Sequence, residues 1–287
     1  MRYDRRLTPA RDDLAAEALR GQIDAPRYAA ATPAAVTMPV APLHPRPDAA
    51  TVQDTELVFG ETVDVYDRSG GWAWVQAAGD GYVGYVAEDA LADGAPPQVT
   101  DRVISLGAST YARPALKSPP TGRLPFGAQV TVAEEQDGYA RIGRDLWVPR
   151  PQIRAIATPA ADWVAVAEMF VGVPYVWGGR SSWGLDCSAL IQLSRQAAGH
   201  TCPRDSDMQQ AGLGETLVPD DAPGRGDLIF WRGHVGVMLD QTRLLHANAH
   251  HMAVAIEPLD EAAPRIAAAG DGEITRRARL DAAASSH

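Results

Sequence analysis

A pattern that occurs twice, 67 residues apart, constrains the fold of this chain more than any other feature. Leu57-Val58-Phe59-Gly60 aligns with Leu124-Pro125-Phe126-Gly127, and the same offset carries Val63 onto Val130, Val65 onto Val132, Gly71 onto Gly138, Trp72 onto Tyr139 and Val75 onto Ile142. After a deletion of five residues, Tyr85-Val86 aligns with Trp147-Val148. Within each copy, apolar and polar residues alternate in short runs broken by Gly- or Asp-containing turns, the signature of small antiparallel strands. Two consecutive small, strongly bent barrels satisfy this pattern; one larger β domain with a chance repeat is the alternative.

Ahead of the repeat, Thr8 as cap, Pro9 at a first helical position, an apolar stripe of Leu14, Ala15, Ala18 and Leu19, and Gly21 as stop predict a helix, so residues 1–29 are expected to be a helical segment. The run from Pro33 to Pro47 reads as an extended loop, because proline suits neither helix interiors nor central strands. The expected barrels then occupy residues 30–95 and 96–157.

The character of the chain changes near Thr158-Pro159. Asp162 to Phe170 reads as a helix with Trp163, Val166, Ala167 and Phe170 on one face, and a second helix is expected from Cys187 to about Ala198. Strand-like runs follow at 227–231, 234–239, 243–246 and 252–257, with a short closing one at 273–276. Helices first and antiparallel strands afterwards indicate an α+β domain over residues 158–280, with 281–287 as a loose tail.

Only two cysteines occur, too few for a disulfide framework and without zinc-ligand spacing. Cys187 follows Asp186, a strong N-cap residue, and so falls in a first helical turn, where free N–H groups and the positive end of the helix dipole favour a thiolate. A thiolate is what acyl-transfer chemistry needs. The alternative is a buried structural thiol. His234 begins an apolar strand between glycines and is the candidate base; His246 ends the next run and is the candidate that orients it, as a neutral acceptor. Cys202, in a loop without a nearby base, reads as non-catalytic.

The runs Pro174-Tyr175-Val176-Trp177-Gly178-Gly179, Gly184-Leu185-Asp186-Cys187-Ser188, Pro203-Arg204-Asp205-Ser206, Gly226-Asp227-Leu228-Ile229-Phe230, His234-Val235-Gly236 and His246-Ala247 occur in the order of the NlpC-type papain-like peptidases, and the chain resembles that family over about residues 160–278. The repeated part resembles two bacterial SH3-like domains. The resemblance implies a papain-like α+β catalytic domain behind two all-β SH3-like barrels. It implies a cysteine endopeptidase that hydrolyses the γ-D-glutamyl–diamino acid bond of murein peptides with a free N-terminal L-Ala, in cell-wall recycling. By the same resemblance Tyr175 would help hold the oxyanion, Asp186 would bind the substrate's amino group, and Ser188 and Ser206 would bind its D-Glu portion. Glu61 and Tyr82, in the first barrel, would wall off the far end of the site. An exported hydrolase of intact murein and a non-catalytic wall-binding module are the alternatives. No cofactor or metal is implied.

Charge narrows the partners. With 26 basic and 36 acidic side chains the formal net charge is −10, which argues against nucleic acid or an anionic membrane. No run approaches the ~18 apolar residues of a membrane span. The charged N-terminus lacks the apolar stretch of a secretory signal, so the expected location is cytoplasmic. Beside Cys187, Asp186 raises a tension: a like charge opposes thiolate formation, and the expectation is that a substrate ammonium relieves it.

Overall fold

In a computed structural model of the chain, residues 3–94, 98–143, 145–218 and 221–280 are described; the expected tail at 281–287 lies outside them. The chain divides at the Thr158-Pro159 step into two compact units.

The N-terminal unit holds the repeat as two barrels of matching strand sequence. In the first, Thr32–Val36, Val40–Leu43, Thr55–Val58, Thr62–Ser69, Trp72–Ala77, Val83–Ala87 and Leu91–Asp93 follow one another. In the second, Asp101–Val103, Gly107–Tyr111 and Pro120–Pro125 take the place of the first three, and Tyr139–Arg141, Trp147–Pro149 and Ile153–Ala155 take the place of the last three. The shared corner has a stereochemical cause. Gly60 and Gly127 have φ of 80° and 85°, a left-handed conformation that only glycine adopts without strain. Each barrel encloses its own core: Ala34, Val36, Leu43, Val63, Val75 and Val86 in the first, and Val103, Leu124, Val130, Ala140, Val148 and Ile153 in the second.

Two expectations for this unit are corrected. Among the described residues of 1–29 there is no helix longer than the 3-10 turn Glu17–Leu19. Ala10–Arg11 and Leu14–Ala16 instead form a hairpin around Asp12-Asp13, and Leu14–Ala16 pairs in parallel with Tyr28–Ala29. A helix this short is marginal without a surface to pack on. The strand form gains one, because Leu14 packs with Trp74 and Val83, and the Arg11 guanidinium stacks 4.7 Å from the Trp74 ring centroid while pairing with Asp67. The run from Pro33 to Pro47 likewise contains strands rather than loop alone. Pro33 sits exposed near the start of its strand opposite Asp64, and its carbonyl accepts from the Gly94 N–H.

In the C-terminal unit, α1 (Trp163–Glu168) is capped by Asp162, whose Oδ1 accepts from the Val164 and Ala165 N–H groups. A short hairpin, Arg180–Ser181 with Gly184–Leu185, leads into α2 (Cys187–Ala197), and α3 (Ser206–Gly212) follows. The sheet comprises β1 (Glu215–Thr216), β2 (Leu228–Trp231), β3 (His234–Met238), β4 (Arg243–Asn248), β5 (Ala253–Pro258) and β6 (Arg276–Arg279) in the spatial order β1-β6-β2-β3-β4-β5, antiparallel throughout. The closing strand starts at Arg276 rather than spanning 273–276, because Arg276, Arg277 and Ala278 pair with Phe230, Ile229 and Leu228. Helix α4 (Leu259–Ile266) covers one face through Ala262 and Ile266, which pack with Ile229, Trp231, Met238 and Leu244. Among the described residues no helix is long and apolar enough to cross a membrane.

Candidate functional site

Cys187 opens α2 because Asp186 caps it: Asp186 Oδ1 accepts from the Ala189 N–H at 2.8 Å, fixing the first turn. The thiol is 6% exposed and its Sγ lies 4.0 Å from the carbonyl oxygen of Gly233, the residue before His234. Burial pushes Cys187 up to about 12; the Asp186 charge adds to this, while the Val235 and Ser188 N–H groups and the Arg204 guanidinium pull the other way. Burial also pushes His234 down, to about 3, with His246 and Arg265 acting in the same direction. Desolvation thus favours the thiol and the neutral imidazole, and acts against the thiolate that the start of the helix favours.

His234 is placed by its strand. It stands opposite Trp231 in the β2–β3 register, and the two rings lie 5.6 Å apart. Its Nε2 is 2.8 Å from His246 Nδ1 on β4. His246 is fully buried and its Nε2 is 2.6 Å from Glu257 Oε1 on β5. The register explains this line. Gly236 lies against His246, so near that a Cβ there would come 3.1 Å from the His246 Cβ. With no side chain at 236, the diagonal neighbours His234 and His246 meet. His246 is directly opposite Ala255, which makes Glu257 its diagonal neighbour on the same face. Glu257 was not singled out by sequence, because only the register brings it to the histidines.

The expected tension at Asp186 is partly offset inside the protein. Arg204, 1% exposed, donates from Nη2 to Asp186 Oδ2 at 2.6 Å and from Nη1 to Oδ1 at 2.9 Å. Arg204 Nη1 also donates to Ser188 Oγ at 2.8 Å, and that hydroxyl donates to Asp186 Oδ1 at 3.0 Å. The carboxylate beside the sulfur is thus half of an ion pair with a buried guanidinium before any substrate ammonium arrives. Ser206 begins α3, which is tied to α2 by Gln209 Nε2 donating to Ser188 O at 2.9 Å and to Pro203 O at 2.8 Å.

Tyr175 is fixed by its N–H donating to Met252 O at 2.9 Å and by a bridge to Leu185, two residues before Cys187. Its hydroxyl is pushed up, first by burial and then by the charges of Cys187 and Asp186, so it stays protonated and able to donate. The C-terminal unit thus supplies Tyr175, Asp186, Cys187, Ser188, Ser206, His234 and His246. Glu61 and Tyr82 belong to the other unit and have structural work there. Glu61 Oε2 accepts from the Val58 N–H at 2.9 Å, and Tyr82, 2% exposed, is part of the first barrel's core.

Residues 172–268 match the NlpC/P60 family and residues 43–91 match the bacterial dipeptidyl-peptidase SH3 domain. The chain carries an NlpC/P60 domain. It is similar to a γ-D-glutamyl-L-lysine dipeptidyl-peptidase of Bacillus cereus, at 26% identity over 72% of this chain and 71% of that protein. It is also similar to the protein of the same name from Bacillus subtilis, at 28% identity over 73% and 77%. An NlpC/P60 family protein of Bacillus cereus, known from its crystal structure, superposes with a TM-score of 0.72 at 22% identity, covering 87% of this chain and 99% of that one, which shows the shared fold. The NlpC/P60 domain identifies the chain as a cysteine peptidase with an N-terminal SH3-like all-β region. Of the domain's two cysteines, Cys187 starts a helix, whereas Cys202 is buried in the segment between α2 and α3, where its carbonyl accepts from Gln192 Nε2.

Proposed function

We propose that the chain is a γ-D-glutamyl–diamino acid endopeptidase that releases L-Ala-γ-D-Glu from murein peptides with a free amino end, as part of cell-wall recycling. The observation that carries this reading is the juxtaposition of a buried thiol at a capped helix start with a His–His–Glu line across three adjacent strands. The two dipeptidyl-peptidase relatives, whose names specify L-lysine after the γ-D-glutamyl group, support the substrate class.

The hydrogen bonds set the proton positions. The Glu257 carboxylate only accepts, so His246 Nε2 carries the hydrogen, its Nδ1 accepts, and His234 Nε2 donates. His234 Nδ1 is left as the base nitrogen. In this reading Cys187 Sγ attacks the scissile carbonyl carbon while its proton passes to His234 Nδ1. The Cys187 N–H and the Tyr175 hydroxyl hold the oxyanion. His234 then gives the proton to the leaving amine as the C–N bond breaks, and water, deprotonated by the same nitrogen, hydrolyses the thioester.

The test is to incubate the protein and its Cys187→Ala variant with free, N-acetylated and polymeric murein peptides and to identify products by mass. Release of L-Ala-γ-D-Glu from free peptides by the wild-type protein alone is expected. Equal turnover of acetylated peptides would remove the free-amine specificity, and no cleavage of any substrate would overturn the proposal.

A further inference from the structure

The His–His pair does not end at His246. Glu257 Oε1 receives His246 Nε2 at 2.6 Å and is also bonded by the Arg265 guanidinium from α4. The end of β5 and the helix that follows it thus converge on one carboxylate. His251 Nδ1 lies 3.9 Å from the same oxygen, so the groups facing Glu257 are His246, His251 and Arg265. A neutral buried imidazole has two tautomers of similar energy, and nothing within a His–His contact chooses between them. A carboxylate at the far end does choose, because it accepts and cannot donate.

We infer that Glu257 is a positioning residue that sets the tautomers of both histidines, so that His234 presents an unprotonated Nδ1, with Arg265 holding the carboxylate in place. Glu257 touches no reacting atom and acts through His246. When His234 takes up the thiol proton, a single ring, His246, separates the imidazolium from a full negative charge, which favours that state. The charge on Glu257 is secure, since its bonds from His246 and Arg265 hold the carboxyl down, at about 2. The inference rests on the peptidase reading for its catalytic consequence, but the tautomers exist without substrate.

The experiment uses the full chain with 15N-labelled histidine. In the wild-type protein near neutral pH, the nitrogen shifts are expected to show His246 and His234 both protonated at Nε2 and not at Nδ1. Glu257→Leu is expected to lose that fixed pattern and to lower kcat ~100-fold, the scale of general-base catalysis, with KM changed less than about two-fold. Glu257→Gln, which keeps an acceptor, is expected to recover at least ~10-fold of the lost kcat. A wild-type His246 protonated at Nδ1 overturns the inference, and so does a Glu257→Leu enzyme with undiminished kcat. If Glu257→Leu does not fold, the wild-type shifts and Glu257→Gln decide. Failure of the peptidase reading is a separate result: a wild-type protein inactive on every murein peptide with the expected shifts in place.

Discussion

Arg204 closes a two-point ion pair on Asp186, the residue that both caps α2 and adjoins Cys187. One buried guanidinium thereby fixes the helix start, holds Ser188 and offsets the carboxylate that would otherwise oppose ionisation of Cys187.

Removing that guanidinium leaves a largely buried carboxylate without its charged partner. Arg204→Met is expected to cost ~3–5 kcal/mol of stability in urea unfolding, the range for breaking one side of a buried pair. Adding Asp186→Asn is expected to recover part of the loss; full additivity of the two changes would show that the residues are not coupled.

Cys187 is expected to react with iodoacetamide as a thiol. In a Cys202→Ser background, the alkylation rate is expected to climb steadily between about pH 6 and 9 without a plateau, because burial holds the thiol near 12. A plateau below about pH 7 would mean a preformed thiolate–imidazolium pair.

The same burial is expected to make the domain acid-sensitive. His234 is held at about 3 against an ordinary 6.5, and His246 is pushed in the same direction, again by burial first. Below 6.5 the unfolded chain binds protons that the folded rings refuse, so stability is full above that pH and falls as the pH drops toward 3. The slope is ~1.4 kcal/mol per pH unit for His234, and His246 adds to it in the same direction. Glu257, lowered from 4.5 to about 2, adds a further loss as the pH falls through that window. Urea midpoints measured across this range are expected to fall with pH, and to fall less steeply in His234→Phe.

Gly236→Ala is expected to damage the site without touching a polar group. The added Cβ would lie 2.7 Å from Leu244 Cδ1 and 3.1 Å from the His246 Cβ. Leu244 can yield but the His246 backbone position cannot do so freely, so a loss of ~1–3 kcal/mol is expected, with reduced kcat. Thermal unfolding and turnover of the free peptide measure the two effects; wild-type values for both would show that the strands separate without cost.

Much of this was legible before the structure. The repeat was visible because each barrel reuses the same left-handed glycine corner and the same alternation, so its strands follow in matching order. The cap on α2 was visible because Asp186 and Ala189 are three residues apart and the bond between them is local. The N-terminal strands were not, because the stripe of Leu14, Ala15, Ala18 and Leu19 suits a helix, and the Trp74 surface that favours the strand lies sixty residues away in sequence.

By itself the sequence determined the two barrels and the α+β domain and put forward Cys187, His234 and His246 as the candidate residues, since these follow from local periodicity, capping and motif order. The tertiary structure alone decided their chemical state. Register put Glu257 on His246, the α2–α3 segment brought Arg204 onto Asp186, and burial favours the neutral forms of Cys187 and His234. The physical reason is that protonation depends on desolvation and on charges within a few ångströms, and neither distance nor burial is written in the order of residues.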